Sequence, residues 1–268
     1  MVRTLRRNAG LTGVELARRI PNPPGMSQSR ISRIETGHVI PQADEVDRLA
    51  DALVVDPGTR AQLHDLARAA RSTMRSWRLL HAQGIAQHQG DIARMEQVAS
   101  TLRLFQPNLV PGLLQTGEYA RRAIELATNA TDIGLAVARR MARQQILYDR
   151  AKSFHFLMTE GALRWRIVPA DVHAGQLNHL ASLATLGNVS IGVIPWHVPV
   201  AAHQTTMFCL VDDRMAYVEL LGGEVVTEDR NDLAQYTATF AALEDAALTG
   251  DDAVAELGRI ASELARLA

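Results

Sequence analysis

The stretch MSQSRISRIETG, residues 26–37, sets one amide, three hydroxyls and two guanidinia on the eight residues from Ser27 to Ile34. On a helix of 3.6 residues per turn, Ile31 and Ile34 share one side while Gln28, Ser29, Arg30 and Arg33 point away from them. A guanidinium offers paired donors to guanine, a carboxamide pairs with adenine, and small hydroxyls reach phosphate. In the first turn of a helix those groups fit the major groove of a duplex, which makes Gln28, Ser29 and Arg30 base-contact candidates. Arg33, one turn on, is placed for a base or a phosphate. Ser27, Ser32, Thr36 and His38 suit the phosphate backbone, where the helix N-terminus adds partial positive charge. Glu35 is expected to pair with an arginine of its own domain.

Short helices with clear punctuation must position that face. Val2 to Asn8 is a stub of helix, and TGVELARRI begins with a capping box, Thr12 with Glu15 three residues on. Val14, Leu16, Ala17 and Ile20 give this second helix its apolar face. PNPP, Pro21–Pro24, cannot continue a helix. Ser27 then reads as an N-cap and Gly37 as a C-terminal stop. A fourth helix, ADEVDRLADAL, turns Val46, Leu49, Ala50 and Leu53 inward, and a fifth follows Asp56-Pro57.

Five short helices with a tight central pair, carried by LRRNAGLTGVELARRI, MSQSRISRIETGHVIP and VDRLADALVVD, resemble the lambda-repressor-like helix-turn-helix domain of XRE-family transcriptional regulators. The resemblance covers about 70 residues, and it implies a homodimer on a partly palindromic double-stranded DNA operator. Two features depart from the family pattern: the first helix begins almost at Met1, and Pro21–Pro24 stand as an insertion of a kind that alters how the third helix is presented.

The 268 residues suffice for two domains, 1–75 and 76–268, with a helical connector at about 76–100. At 47% hydrophobic and 21% charged, the composition is that of a globular chain. Up to Leu80 there are 13 arginines against 8 acidic residues, a net of about +5, and the remainder is acidic by about 6. Only the first part suits a polyanion. No apolar run is long enough to span a bilayer and no secretory leader is recognised, so a cytoplasmic location without membrane association is expected. Cys209, the single cysteine, reads as a buried thiol in a strand.

From about residue 85 a helix carries Ile85, Ile92, Met95 and Val98 inward, Leu102 to Phe105 form a strand, and the helix from Thr116 buries Tyr119, Ala123 and Leu126. A long helix is expected from Asp132 to about Asp149, followed by the strands FHFLMT, VSIGVIP, TTMFCLVD and MAYVELL and by two closing helices. The fold class expected is therefore a mainly α five-helix N-terminal domain joined to an α+β C-terminal domain. FQPNLVPGLLQTGEYARRAI, RQQILYD, FHFLMTEGALRW and VSIGVIPW are similar to the C-terminal domain of many actinobacterial XRE-type regulators. That likeness implies control by a small partner protein encoded nearby, in an antitoxin-like pairing.

Catalytic readings find little support. GLLQTGEY has glycines at phosphate-loop spacing, but Glu118 stands where the lysine must be. The histidine pairs lack metal-site spacing with carboxylate or thiolate support, and a self-cleaving mechanism fails because Lys152 precedes Ala174-Gly175. No catalytic residue, metal or cofactor is expected. Glu160 and Glu219, near strand ends, could meet Arg164, Trp165, Trp196 and His203 in a pocket that binds a ligand or a partner. Small-molecule sensing and an unassigned enzymatic activity of the C-terminal domain remain the alternatives.

Overall fold

The computed structural model describes residues 1–20, 25–82, 84–203 and 206–267, so the Pro21–Pro24 insertion lies outside the described residues. Two compact units separate: Met1–Thr73 with Thr227–Asn231, and Met74–Val226 with Asp232–Ala268.

The first unit contains α1 (Val2–Asn8), α2 (Gly13–Arg19), α3 (Gln28–Glu35), α4 (Ala43–Leu53) and α5 (Pro57–Arg71). Local chemistry sets the ends. The Thr12 hydroxyl accepts from the Glu15 N–H at 3.2 Å while the Glu15 carboxylate accepts from the Thr12 N–H at 2.7 Å. Ser27 caps α3 by accepting from the Arg30 N–H at 3.1 Å, and Gly37, at φ +77°, takes the left-handed conformation that ends it. Leu16, Ile20, Ile31, Ile34, Leu49 and Leu53 form one core cluster, and Val46 and Ala50 meet Leu63 and Ala67 in a second. Val14 does not join them and is exposed. It stands two residues, about 200° of helical rotation, before Leu16, and a seven-residue helix cannot bury both.

The remaining elements are β1 (Ser72–Ser76), α6 (Trp77–Ala82), α7 (Ile85–Val98), β2 (Thr101–Gln106), α8 (Gly117–Ala127), α9 (Ile133–Arg143), β3 (Ser153–Thr159), α10 (Glu160–Arg164), α11 (Ala170–Leu183), β4 (Val189–Ile194), β5 (Phe208–Val211), β6 (Met215–Leu220), β7 (Gly223–Thr227), α12 (Arg230–Glu244) and α13 (Gly250–Ala265), all within the second unit except the first two residues of β1, the last of β7 and the first two of α12. Among the described residues the strands form one sheet in the order β1-β7-β6-β5-β2-β3-β4, with β2, β3 and β4 parallel and β5 antiparallel to both β2 and β6. Alternation along the strands divides the core. Leu102, Phe154, Phe156, Met158, Ile191, Val193 and Cys209 face α8, α11 and α13, whereas Phe105, Leu157, Phe208, Leu210 and Val218 face Leu233, Phe240 and Leu243 of α12.

The helical segment expected at about 76–100 includes α7, which packs on α9 within the second unit. Two sequence expectations change here. The long helix is α-helical only to Arg143 and tightens to 3-10 geometry over Gln144–Tyr148, which turns Leu147 fully into the core. Val98 and Leu126 are exposed, Val98 because it lies about 220° around α7 from Ile85.

At the outer edge of β4 the Val193 N–H donates to the Leu248 carbonyl at 2.9 Å, and the Leu248 N–H returns a bond to the Val193 carbonyl at 2.8 Å. Gly192 permits that approach, since a Cβ there would stand 2.5 Å from Leu157 Cδ2 and 3.2 Å from Ala247 Cβ.

His173 of α11 is buried edge-on to Tyr119, with ring centroids 5.7 Å apart, and burial pushes its imidazole below the ordinary range. The unfolded chain therefore takes up a proton near pH 6.5 that the folded chain resists. Stability present above about pH 6.5 is lost as pH falls toward the folded value, by at most ~1.4 kcal/mol per pH unit from this group. Urea unfolding at pH 7 and pH 5.5 should show the loss, and His173→Phe should shrink it; an identical pH slope in the variant would refute the assignment.

Candidate functional site

On α3, internal bonds decide which polar groups stay available. Arg30 turns its fork onto α4, with Nε and Nη2 each 2.9 Å from the Glu45 carboxylate. Glu45 also accepts from the Gln42 N–H at 2.9 Å, closing the capping box of α4. Arg30, expected from the sequence as a base contact, thus braces α3 to α4 in the absence of DNA, its side chain 38% exposed. Glu35 pairs as expected: Arg6 donates to its two oxygens at 2.6 and 2.8 Å, and those bonds hold its carboxyl below the usual range. Ser27 is occupied as the N-cap. Thr36 donates to the Ser32 carbonyl at 2.8 Å and lies 2.9 Å from His38 Nδ1, so these two residues finish the helix end.

Ser27, Thr36 and His38 are exposed but bonded; exposed with side chains that make no bond among the described residues are Gln28, Ser29, Ser32 and Arg33. These residues are four apart in pairs, 28 with 32 and 29 with 33, and form one stripe. Gln28 borders the start of α2, its Cγ and Nε2 each 3.5 Å from where Gly13 would carry a Cβ. The Arg33 side chain makes no bond among the described residues.

Of the residues singled out in the C-terminal domain, Glu160, Arg164 and Trp196 come together, and Glu219 does not join them. Glu160 is held by Arg164 at 2.7 Å, by the Trp196 N–H at 3.1 Å and by Arg259 at 3.5 Å, a capping and pairing arrangement. Trp165 and Trp196 are 67% and 70% exposed and His203 is exposed, so among the described residues no pocket closes around them. Glu219 stands elsewhere, on β6, which β5 and β2 separate from β3, and its carboxylate accepts from the Tyr217 hydroxyl at 2.9 Å. Among the described residues no cluster of three metal-ligating side chains occurs, and no helix is long and apolar enough to cross a membrane.

Glu219 instead lines a cavity of about 640 Å³ that the sequence reading missed. Its floor is a row across three strands, Leu104, Cys209 and Tyr217, which the register sets side by side. Its polar wall comes from α7, α9 and the turn before α8. Arg143 donates to Glu96 and to Gln89, both at 2.9 Å; Arg140 donates to Gln115 at 2.7 Å and to Gln89 at 3.2 Å. Gln89, Glu96, Gln115 and Arg143 are all buried. Glu96 Oε2 and Arg143 Nε have no hydrogen-bond partner among the described residues. Burial pushes the Glu96 carboxyl up against the opposing pull of Arg143 and Arg140. Burial also raises the Cys209 thiol, which stays protonated and unreactive. The exposed Leu126 and Leu221 mark the rim. A sequence signal for this wall existed in polar residues at helical spacing on packed faces: Gln89 and Glu96 seven apart, Arg140 and Arg143 three apart.

Comparison with known proteins accords with the two units. Residues 2–63 match the family described as Helix-turn-helix domain, and residues 89–259 match the Domain of unknown function (DUF5753). No curated protein matches the chain in sequence. Among solved structures, the archaeal chromatin protein TrmBL2, described as showing a novel mode of DNA binding, aligns over 84% of this chain and 71% of its own. That alignment has 12% identity and a TM-score of 0.35, too low to carry a functional argument. The domain match over 89–259 takes in more than half of the 268 residues, so the chain belongs to the DUF5753 family, here joined to an N-terminal helix-turn-helix domain.

Proposed function

We propose that the protein is a sequence-specific, DNA-binding transcriptional regulator, non-enzymatic and acting as a repressor. The observation that carries this reading is the helix-turn-helix match over residues 2–63 together with the exposed stripe Gln28, Ser29, Ser32 and Arg33 on α3. In this reading the stripe enters the major groove and Arg30, through Glu45, fixes the angle of α3. A homodimer on a partly palindromic operator follows from the small surface of one such domain. The resemblance to XRE regulators supports a small partner protein as the controlling signal. A second reading, control by a small molecule, is favoured by the cavity behind α7 and α9.

The test is a salt-titrated binding assay on the protein's own promoter and on a scrambled duplex. Wild type should prefer the promoter, and Arg33→Ala should lose about 1–3 kcal/mol on it. Arg30→Ala should weaken promoter and scrambled duplex together, because it loosens the whole helix. Equal affinity of the wild type for both duplexes would overturn the reading, and unchanged promoter binding by Arg33→Ala would remove the stripe from it.

A further inference from the structure

We infer that the cavity of the C-terminal domain is a binding site for a small amphipathic organic acid, its carboxylate seated on Arg140 and its apolar body against Leu104, Met95 and Met207. The inference deepens the small-molecule reading above and rests on it for its regulatory meaning.

Two guanidinia, Arg140 and Arg143, enter this space, and among the described residues only one carboxylate contacts them. Arg143 takes that carboxylate, Glu96. Arg140 is answered by two neutral carboxamide oxygens, those of Gln89 and Gln115. The other carboxylate of the cavity, Glu219, is engaged by the Tyr217 hydroxyl. Arg140 is half-buried, and a cation partly withdrawn from water without a contacting anion gains from a charge-assisted partner. Burial and the neighbouring Arg143 push the Arg140 guanidinium down to about 10 against the opposing pull of Glu219 and Glu96, so it stays charged at neutral pH with no carboxylate in direct contact among the described residues.

Space and shape agree with such a ligand. A cavity of about 640 Å³ lies within the range of small-molecule sites. The backbone at Gly112 lies close over both arginines, since a Cβ there would stand 3.5 Å from Arg143 Nη2 and 3.7 Å from Arg140 Nε. The arginine end is therefore walled, while the exposed Leu126 and Leu221 border the opening. The unpartnered Arg143 Nε is a further donor, nine-tenths buried, in the same wall.

The test titrates the full-length protein, without DNA, with octanoate, octanol and octylamine, three probes of one length and different charge, and follows the melting temperature and calorimetric binding. Octanoate should bind and raise the melting temperature with concentration, at least tenfold more tightly than octanol or octylamine, and Arg140→Gln should abolish the preference. Equal or stronger binding of octanol or octylamine overturns the inference, as does no response to millimolar octanoate or an unchanged octanoate response in Arg140→Gln. If Arg140→Gln does not fold, Ala127→Trp carries the test: Ala127 is an exposed residue of the lining, and a tryptophan there should obstruct the opening and cut octanoate binding at least fivefold. Full octanoate binding by Ala127→Trp overturns the cavity as the site. Because no DNA is present, a failure here is distinct from a failure of the DNA-binding reading, which the promoter assay reports separately.

Discussion

Arg143→Met should destabilise the C-terminal domain by about 3–5 kcal/mol, the cost of leaving one member of a buried ion pair without its partner. Both side chains of the Arg143–Glu96 pair are 7% exposed and their contact is 2.9 Å. Methionine fills much of the volume, so the loss measures the orphaned Glu96 more than a void. Two further outcomes identify the cause. Pairing Arg143→Met with Glu96→Leu should recover most of the stability, because no buried charge is then left alone. The single variant should also suffer less as pH is lowered. Burial already raises the Glu96 carboxyl in the wild type, and removing Arg143 raises it further, so the folded variant takes up a proton at a pH where the unfolded chain has released it. Urea unfolding of the three proteins at pH 7 and pH 5 measures both effects. A loss under 1 kcal/mol, or a double variant no better than the single one, would show that the pair does not work this way.

Leu16→Ala should cost the N-terminal domain about 2–5 kcal/mol, the range for truncating a buried leucine where the surroundings collapse only in part. Leu16 is 0% exposed and belongs to the cluster that holds α3 through Ile31 and Ile34. A domain of this size has little stability in reserve. The variant should therefore lose binding to every duplex alike, whereas Arg33→Ala loses it selectively. Hydrogen exchange resolved by segment should show faster exchange across α2, α3 and α4 with α11 and α13 unchanged. Protection of α3 equal to wild type would contradict the central place given to Leu16.

The sequence was most legible where a short-range interaction decides the structure. Thr12 with Glu15, Ser27 at the start of α3 and Gly37 at its end are complete within three or four residues, and each occurs as read. Strand alternation was legible for the same reason. The partner of Arg30 was not, because Glu45 lies fifteen residues away on another helix and a guanidinium that braces looks in sequence like one that reads DNA. The expected meeting of Glu160 and Glu219 depended on strand order, which no local pattern encodes. The cavity wall draws on residues 89, 96, 115, 140 and 143, and only their helical spacing hinted that polar groups were turned inward.

The bridge between Val193 and Leu248 bears on how copies of this chain meet. β4 is the last strand of its sheet, and an uncovered edge strand is a template on which another chain can extend the ladder. Here the middle of that template is already taken by the chain's own backbone at residue 248, and the glycine at 192 is what lets it come so near. A strand from a second molecule would have to strip Leu248 away before it could pair. This edge is therefore guarded against fibre growth and strand exchange, and a variant that pushes residues 247 and 248 outward, as Gly192→Val would, should turn it into a nucleus for aggregation.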